Sequence, residues 1–111
     1  MIQITDDFMK QMIASAKPYT ALILKIGPHY NHPDSMSIIW EHGRRNFSLQ
    51  EEGKLAIVCP VNDGGKVAGI AVFDATLEET KKIMDEDPAI KEGVFEYEAH
   101  ETRSFPGDKL E

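Results

Sequence analysis

The sequence has few of the features that mark secreted and membrane proteins. Its 111 residues include one cysteine, Cys59, which excludes an internal disulfide framework. No apolar run approaches the roughly 20 residues that a membrane-spanning helix needs. The first residues, MIQITDDFMKQ, lack the basic stretch and following apolar run of a secretory signal. We therefore expect a cytoplasmic protein.

Basic residues are also scarce. Lys and Arg together number 12 against 19 Asp and Glu, which gives a formal net charge of −7 at pH 7. Nucleic acids and anionic membrane surfaces bind clustered Lys and Arg side chains, and Arg44 and Arg45 are the only adjacent arginines. The sequence also lacks a glycine-rich phosphate loop, a nucleophile elbow and a dinucleotide fingerprint. We expect no nucleic-acid partner, no membrane partner and no organic cofactor.

What is present is the patterning of a small globular protein, with 41% hydrophobic and 28% charged residues. Apolar stripes at helical spacing and short apolar runs alternate with capping and turn residues. They predict helices over 5–16, 35–52 and 77–86, and strands over 19–26, 54–61, 66–75 and 93–103. Thr5, Asp34 and Thr76 are the predicted N-caps of the three helices.

This order, a helix followed by β-α-β-β-α-β, predicts a ferredoxin-like α+β fold with two helices on one face of a four-stranded antiparallel sheet. The first three strands are apolar on both sides, and a bare apolar face is unusual in a monomer, so we expect a homodimer that packs sheet against sheet. One domain over 1–111 would comprise a helical extension (1–17), the core (19–103) and a C-terminal arm (104–111). The arm is either a frayed terminus or a segment that crosses to the partner, with Phe105 as its anchor.

The helix over 35–52 is apolar on two sides. On a helical wheel, one broad face carries Ile38, Ile39, His42, Arg45, Asn46 and Leu49, and the opposite face carries Met36, Trp40 and Phe47. Either Trp40 and Phe47 face the sheet, which leaves His42 solvated, or Leu49 faces the sheet and His42 lies at the wall of a pocket.

Two stretches resemble the YCII family (YciI-like proteins). EHGRRNFSLQEEGKLAIVCPVNDGG is similar to that family's first helix, second strand and turn, in which a helix histidine precedes a glycine by eleven residues, as His42 precedes Gly53. LEETKKIMDEDPAIKEGVFEYEAHETRSFPGD resembles its second half, and the two together cover roughly residues 19–107. The resemblance implies a dimeric α+β barrel, similar to muconolactone isomerases, and a His–Asp dyad. The family includes a dehydrochlorinase of aromatic catabolism.

Carried over to this chain, the family's histidine is His42, and its aspartate is Asp87, with Asp63 as the second choice. The chain departs from the family in two places. Cys59-Pro60 stands where Gly-Pro is usual, and a helix precedes the first strand. Both departures bear on the substrate.

Such a dyad supports proton transfer next to a carbonyl or phenol, followed by isomerisation or elimination. The histidine acts as general acid/base and the carboxylate orients it. Arg45 is predicted to hold a substrate carboxylate or phenolate, and Tyr97 to line the pocket. Each residue also has a structural interpretation: Asp87 ends a helix before proline, Asp63 belongs to a turn, Arg45 is a solvated charge and Tyr97 packs in the core. The competing function is a non-enzymatic binding or accessory module.

The loop HYNHPD (29–34) offers His29 and His32, with Asp34 nearby, as conceivable ligands of a divalent metal. Loop histidines at this spacing, without a further ligand close in sequence, are usually solvated. Cys59 ends an apolar strand with no adjacent base, which is typical of an inert thiol. We therefore predict no metal site.

Overall fold

The computed structural model describes residues 1–110, so Glu111, the last residue of the predicted arm, lies outside the described residues. The chain forms four helices and four strands within that range. In order they are α1 (Asp6–Ala14), β1 (Lys17–Ile26), α2 (Ser35–Glu51), β2 (Leu55–Pro60), β3 (Val67–Phe73), α3 (Leu77–Asp85), α4 (Pro88–Lys91) and β4 (Phe95–Ser104).

The strands form one antiparallel sheet in the order β2-β3-β1-β4. The central strand β1 pairs with both β3 and β4, so that Leu22 lies opposite Ala71 on one side and Ala99 on the other. Helices α2, α3 and α4 pack on one face of this sheet. The predicted ferredoxin-like α+β architecture with an extra N-terminal helix is confirmed.

Two of the three predicted N-caps are present. The hydroxyls of Thr5 and Thr76 each accept a hydrogen bond of 3.1 Å from the backbone N–H three residues later. The prediction for Asp34 was wrong, because its side chain makes no capping hydrogen bond. Its backbone is already helical (φ −89°, ψ 0°), and a capping side chain needs an extended backbone to reach the free N–H groups of the first turn.

The core lies between the sheet and helices α2 to α4. Its buried apolar residues are Leu22, Leu24, Leu49, Leu55, Ala71, Phe73, Met84, Ala89, Val94 and Phe95. Five polar residues are buried as well, namely Thr20, Ser35, His42, Thr80 and Asp87. Helix α4 was not predicted, since the sequence indicated only that Asp87-Pro88 ends α3. Proline suits the first position of a helix, where no backbone N–H is needed, and Asp87 caps the new helix by accepting a 2.8 Å hydrogen bond from the Ala89 N–H.

Two apolar surfaces remain uncovered. On the sheet face opposite the helices, Ile23 of β1 pairs with Ile70 of β3, and 49% of Ile70 is exposed. Helix α1 buries none of its residues, and Phe8, Met9 and Ile13 are exposed along it. Among residues 1–110, no helix is both long and apolar enough to cross a membrane.

Candidate active site at the inner face of helix α2

Helix α2 turns its histidine inward. The buried residues of this helix are Ser35, His42 and Leu49, which are spaced at seven residues and therefore lie along one stripe. On the other side Trp40 is 71% exposed and Phe47 is 66% exposed. The interpretation in which Trp40 and Phe47 face the sheet was therefore wrong, and the pocket-wall interpretation of His42 is the one that the structure adopts.

His42 is paired with Asp87. The Nδ1 of His42 lies 2.8 Å from Oδ2 of Asp87, with 10% of the histidine side chain and none of the aspartate side chain exposed. The other carboxylate oxygen, Oδ1, accepts the Ala89 N–H. Asp87 is therefore fixed by the start of α4 and presents its second oxygen to α2. The helix-stop interpretation and the dyad interpretation of this residue describe the same geometry.

The Asp87 carboxyl is ionised at neutral pH. Burial raises its pKa, but the hydrogen bond and charge of His42, the Ala89 N–H and the charge of Arg45 together hold that pKa below its ordinary value of 3.8. A carboxylate has no proton to donate, so it accepts a hydrogen bond from the N–H at His42 Nδ1. In the neutral imidazole, the lone pair is then left on Nε2.

The Nε2 side of His42 meets Asn46 and Phe95. The Asn46 amide nitrogen lies 3.3 Å from Nε2, one helical turn further along α2. The Phe95 ring stands edge-on to the imidazole, with 5.2 Å between the ring centroids. Asn46 was not among the predicted site residues, although its position four residues after His42 on the same helix face is a spacing at which side chains touch.

His42, Asn46 and Phe95 line a cavity of about 900 Å³ between α2 and the sheet. Most other lining side chains are apolar and come from α2, β1, β2 and β3. Exposed residues of the turn between β2 and β3, among them Gly64 and Gly65, also line it, so the cavity opens to solvent at that end. A largely apolar cavity of this size with a few convergent polar groups is typical of a small-molecule site.

Cys59 and Pro60, at the departure from the family pattern, also belong to the cavity wall. Cys59 is half-buried there as a free thiol. Cys59 is the register partner of Ile70, so its side chain lies with that of Ile70 on the open face of the sheet.

The other predicted site residues lie elsewhere. Arg45 places Nη1 3.5 Å from Asp87 Oδ2, so it supports the buried carboxylate and does not line the cavity found within residues 1–110. The Tyr97 hydroxyl donates a 2.8 Å hydrogen bond to Asp85, and burial together with Asp85 raises the pKa of Tyr97 to about 12. Tyr97 is not among the residues that line the cavity in the described chain, 1–110. Its position therefore does not support the predicted contact with substrate.

Asp63 is a turn residue. Its Oδ1 accepts a 2.9 Å hydrogen bond from the Gly65 N–H within the exposed NDGG turn. The structure therefore pairs Asp87 with His42, whereas the Asp63 carboxylate accepts a hydrogen bond within its own turn.

The loop histidines make local contacts. His29 Nδ1 lies 2.9 Å from the Glu92 carbonyl oxygen, and His32 Nδ1 accepts a hydrogen bond from the Asp34 N–H. In the part of the chain that the structure describes, no three His, Cys, Asp or Glu side chains converge as a metal site.

Comparison with known proteins identifies a structural neighbour but no family. No family model matches the chain, and the curated proteins contain no significant match. A similar solved structure is that of the 5-chloro-2-hydroxyhydroquinone dehydrochlorinase TftG from Burkholderia phenoliruptrix AC1100, in complex with 2,5-dihydroxybenzoquinone. It is 16% identical, with a TM-score of 0.50, and the match covers 73% of this chain and 90% of that chain. At this identity the likeness establishes the fold, and membership of the YCII family stays a prediction.

Proposed function

We propose that this protein performs cofactor-independent acid–base chemistry of the lyase or isomerase type on a small metabolite, as a YciI-like protein. His42 is the general acid/base and Asp87 the residue that orients it. The single observation behind the proposal is the buried His42–Asp87 pair, with 2.8 Å between Nδ1 and Oδ2, at the wall of a cavity large enough for a small molecule.

The geometry suits one proton acceptor that faces the cavity. Nε2 takes a proton from a substrate carbon or hydroxyl, and the resulting imidazolium is stabilised by the Asp87 carboxylate. In an elimination, the electron pair of the broken C–H bond forms the double bond, and the leaving group departs with its own electron pair. His42 then releases the proton to the leaving group or to solvent. Because its pKa is lowered, Asp87 is a carboxylate at neutral pH and is charged when His42 receives the proton.

Elimination is the first choice among the possible reactions. A dehydrochlorinase with a similar fold supports that choice, and the resemblance to the YCII family points to the same chemistry.

Arg45 lies 3.5 Å from Asp87 Oδ2, which supports a role in stabilising the carboxylate.

One observation favours the alternative, a binding module without turnover. The Asn46 amide already lies 3.3 Å from His42 Nε2, so the lone pair that would act as the base already accepts a hydrogen bond. A binding protein keeps that hydrogen bond permanently, whereas an enzyme must replace it with substrate.

A turnover assay of His42→Gln separates the two functions. With a panel of halogenated and hydroxylated cyclic compounds, we expect turnover by the natural protein and a loss of about 10²- to 10⁴-fold in the variant, which is the usual contribution of a general acid/base. His100→Gln is the matched control, because the His100 side chain is 61% exposed. Equal turnover by His42→Gln contradicts the dyad, and binding without any turnover favours the binding module.

A further inference from the structure

The cavity wall carries almost no charge. No Lys, Arg, Asp or Glu among residues 1–110 lines it, and His42 is the one lining side chain in that range that can become a cation. The chain as a whole has 28% charged residues, so its charges lie outside this cavity. A carboxylate that entered the cavity would lose its hydration without gaining a cationic partner, which is a large cost for any anion.

The nearest guanidinium does not supply that partner. Arg45 Nη1 is directed at Asp87 Oδ2, and its positive charge offsets the buried carboxylate. The remaining way to hold an anion is to protonate His42. Protonation removes the Nε2 lone pair that the proposed chemistry uses, so an anionic group beside His42 is incompatible with His42 acting as a base.

Two polar side chains of the cavity, those of His42 and Asn46, together suit a single uncharged oxygen, and the lining also includes Tyr30 and Asn62. His42 Nε2 accepts a hydrogen bond and the Asn46 amide donates one, and the two nitrogens are 3.3 Å apart. A ligand hydroxyl that replaces this hydrogen bond donates its own hydrogen bond to Nε2 and accepts one from the Asn46 amide with the same oxygen atom. The rings of Phe95, which is edge-on to His42, and of Tyr30, whose centroid is 6.0 Å from that of Phe95, supply flat apolar walls near this point.

We propose that the cavity binds an uncharged, mainly apolar ring compound that presents one hydroxyl or enol oxygen to His42 and Asn46, and that it discriminates against carboxylates. Asn46 is the residue that selects the oxygen. This inference rests on the proposed function for its site and adds to it the class of substrate.

Binding of matched ring probes tests the proposal without any turnover. Phenol, fluorobenzene and benzoate have the same ring and differ in one substituent. Titrated at pH 7.5 into the full chain, with the His42 and Asn46 signals followed by NMR, phenol should bind at least about tenfold more tightly than either of the others. Benzoate binding as tightly as phenol overturns the proposal, and so does the absence of binding by every probe.

Two variants test whether Asn46 causes the preference for phenol over fluorobenzene. Asn46→Leu should abolish the preference for phenol over fluorobenzene while fluorobenzene binding persists. Gln50→Leu, one turn further along α2 and outside the cavity lining of the described chain, should retain the preference. An unchanged preference in Asn46→Leu removes Asn46 from the proposal.

The same titration in His42→Gln separates this proposal from the proposed function. Glutamine is uncharged and still accepts a hydrogen bond, so the preference for phenol over benzoate should persist in the variant. If no compound is turned over but the preference persists, the substrate class stands and the catalytic function fails. If the natural protein turns over a carboxylate-bearing compound and His42→Gln does not, the function stands and the substrate class fails.

Discussion

At the scale of single residues, Asp87 connects the fold to the candidate chemistry. One carboxylate oxygen caps α4 and the other holds His42, and the side chain has no exposed surface. The sequence indicated both roles, because an aspartate before proline marks a helix end and the family resemblance marks a dyad. The resemblance ranked Asp87 ahead of Asp63, but the residues alone could not exclude Asp63, because the pairing depends on how the fold brings residue 87 to α2.

The buried carboxylate of Asp87 makes the free energy of unfolding depend on pH. Because the pKa of Asp87 is lower in the folded state than its ordinary value of 3.8, its stabilisation is complete above that value and is lost as pH falls through the folded-state pKa. We expect Asp87→Asn to lower the free energy of unfolding at pH 7 by about 1–3 kcal/mol. That difference should shrink below pH of about 4. Urea unfolding from pH 3 to 7 measures it, with the exposed Asp34→Asn as the control. A difference that is constant across this range contradicts the assignment.

At the scale of elements, helix α2 was predicted with bounds close to those observed, but its orientation was left open. Both of its faces are apolar, so a helical pattern alone cannot decide which one packs. The structure decides it through tertiary contacts: Ile38, Ile39 and Leu49 pack with the core, while Met36 and Trp40 face outward. Helix α4 was missed for a different reason, since four residues are too few to show helical periodicity.

Strand β1 also differs from its prediction for a physical reason. It begins at Lys17 and includes Pro18, whereas the predicted strand began at residue 19. At Pro18 the strand pairs with Arg103 of β4, whereas its pairing with β3 starts only at Thr20. A proline without a backbone N–H is tolerated where a strand has a neighbour on one side only.

The orientation of α2 predicts a contrast between two truncations. Leu49→Ala removes a side chain that is 8% exposed and should lower the free energy of unfolding by about 2–5 kcal/mol. Trp40→Ala removes a larger side chain that is 71% exposed and should change it by less than about 0.5 kcal/mol. Chemical denaturation at low protein concentration measures both. A larger cost for Trp40→Ala than for Leu49→Ala means that the helix faces the other way.

At the scale of the whole molecule, the uncovered surfaces suggest assembly. The chain extends over 55 × 29 × 23 Å, and both the open sheet face around Ile23 and Ile70 and the apolar stripe of α1 lack a partner within the described chain. We propose a single domain that forms a homodimer sheet against sheet. Strand β4 ends at Ser104, so the first residue of the predicted C-terminal arm (104–111) belongs to that strand. Within the arm, the backbone N–H of Phe105 donates a hydrogen bond to the Asp108 carboxylate.

Light scattering checks the dimer. We expect twice the chain mass at micromolar concentration, and the chain mass for Ile70→Lys, which places a charge on the open sheet face. Met36→Lys, on the outer face of α2, is the matched control and should remain a dimer. A monomeric natural protein at that concentration excludes the sheet-to-sheet assembly.

The most direct test of the central claim is the tautomer of His42, observed by nitrogen NMR of the neutral imidazole. The account predicts a proton on Nδ1, hydrogen-bonded to Asp87, and an unprotonated Nε2 whose lone pair accepts from the Asn46 amide. It further predicts that Asp87→Asn weakens this preference while Asp63→Asn leaves it unchanged. A neutral His42 that carries its proton on Nε2, or whose tautomer is indifferent to Asp87→Asn, contradicts the claim that this pair is built for acid–base chemistry.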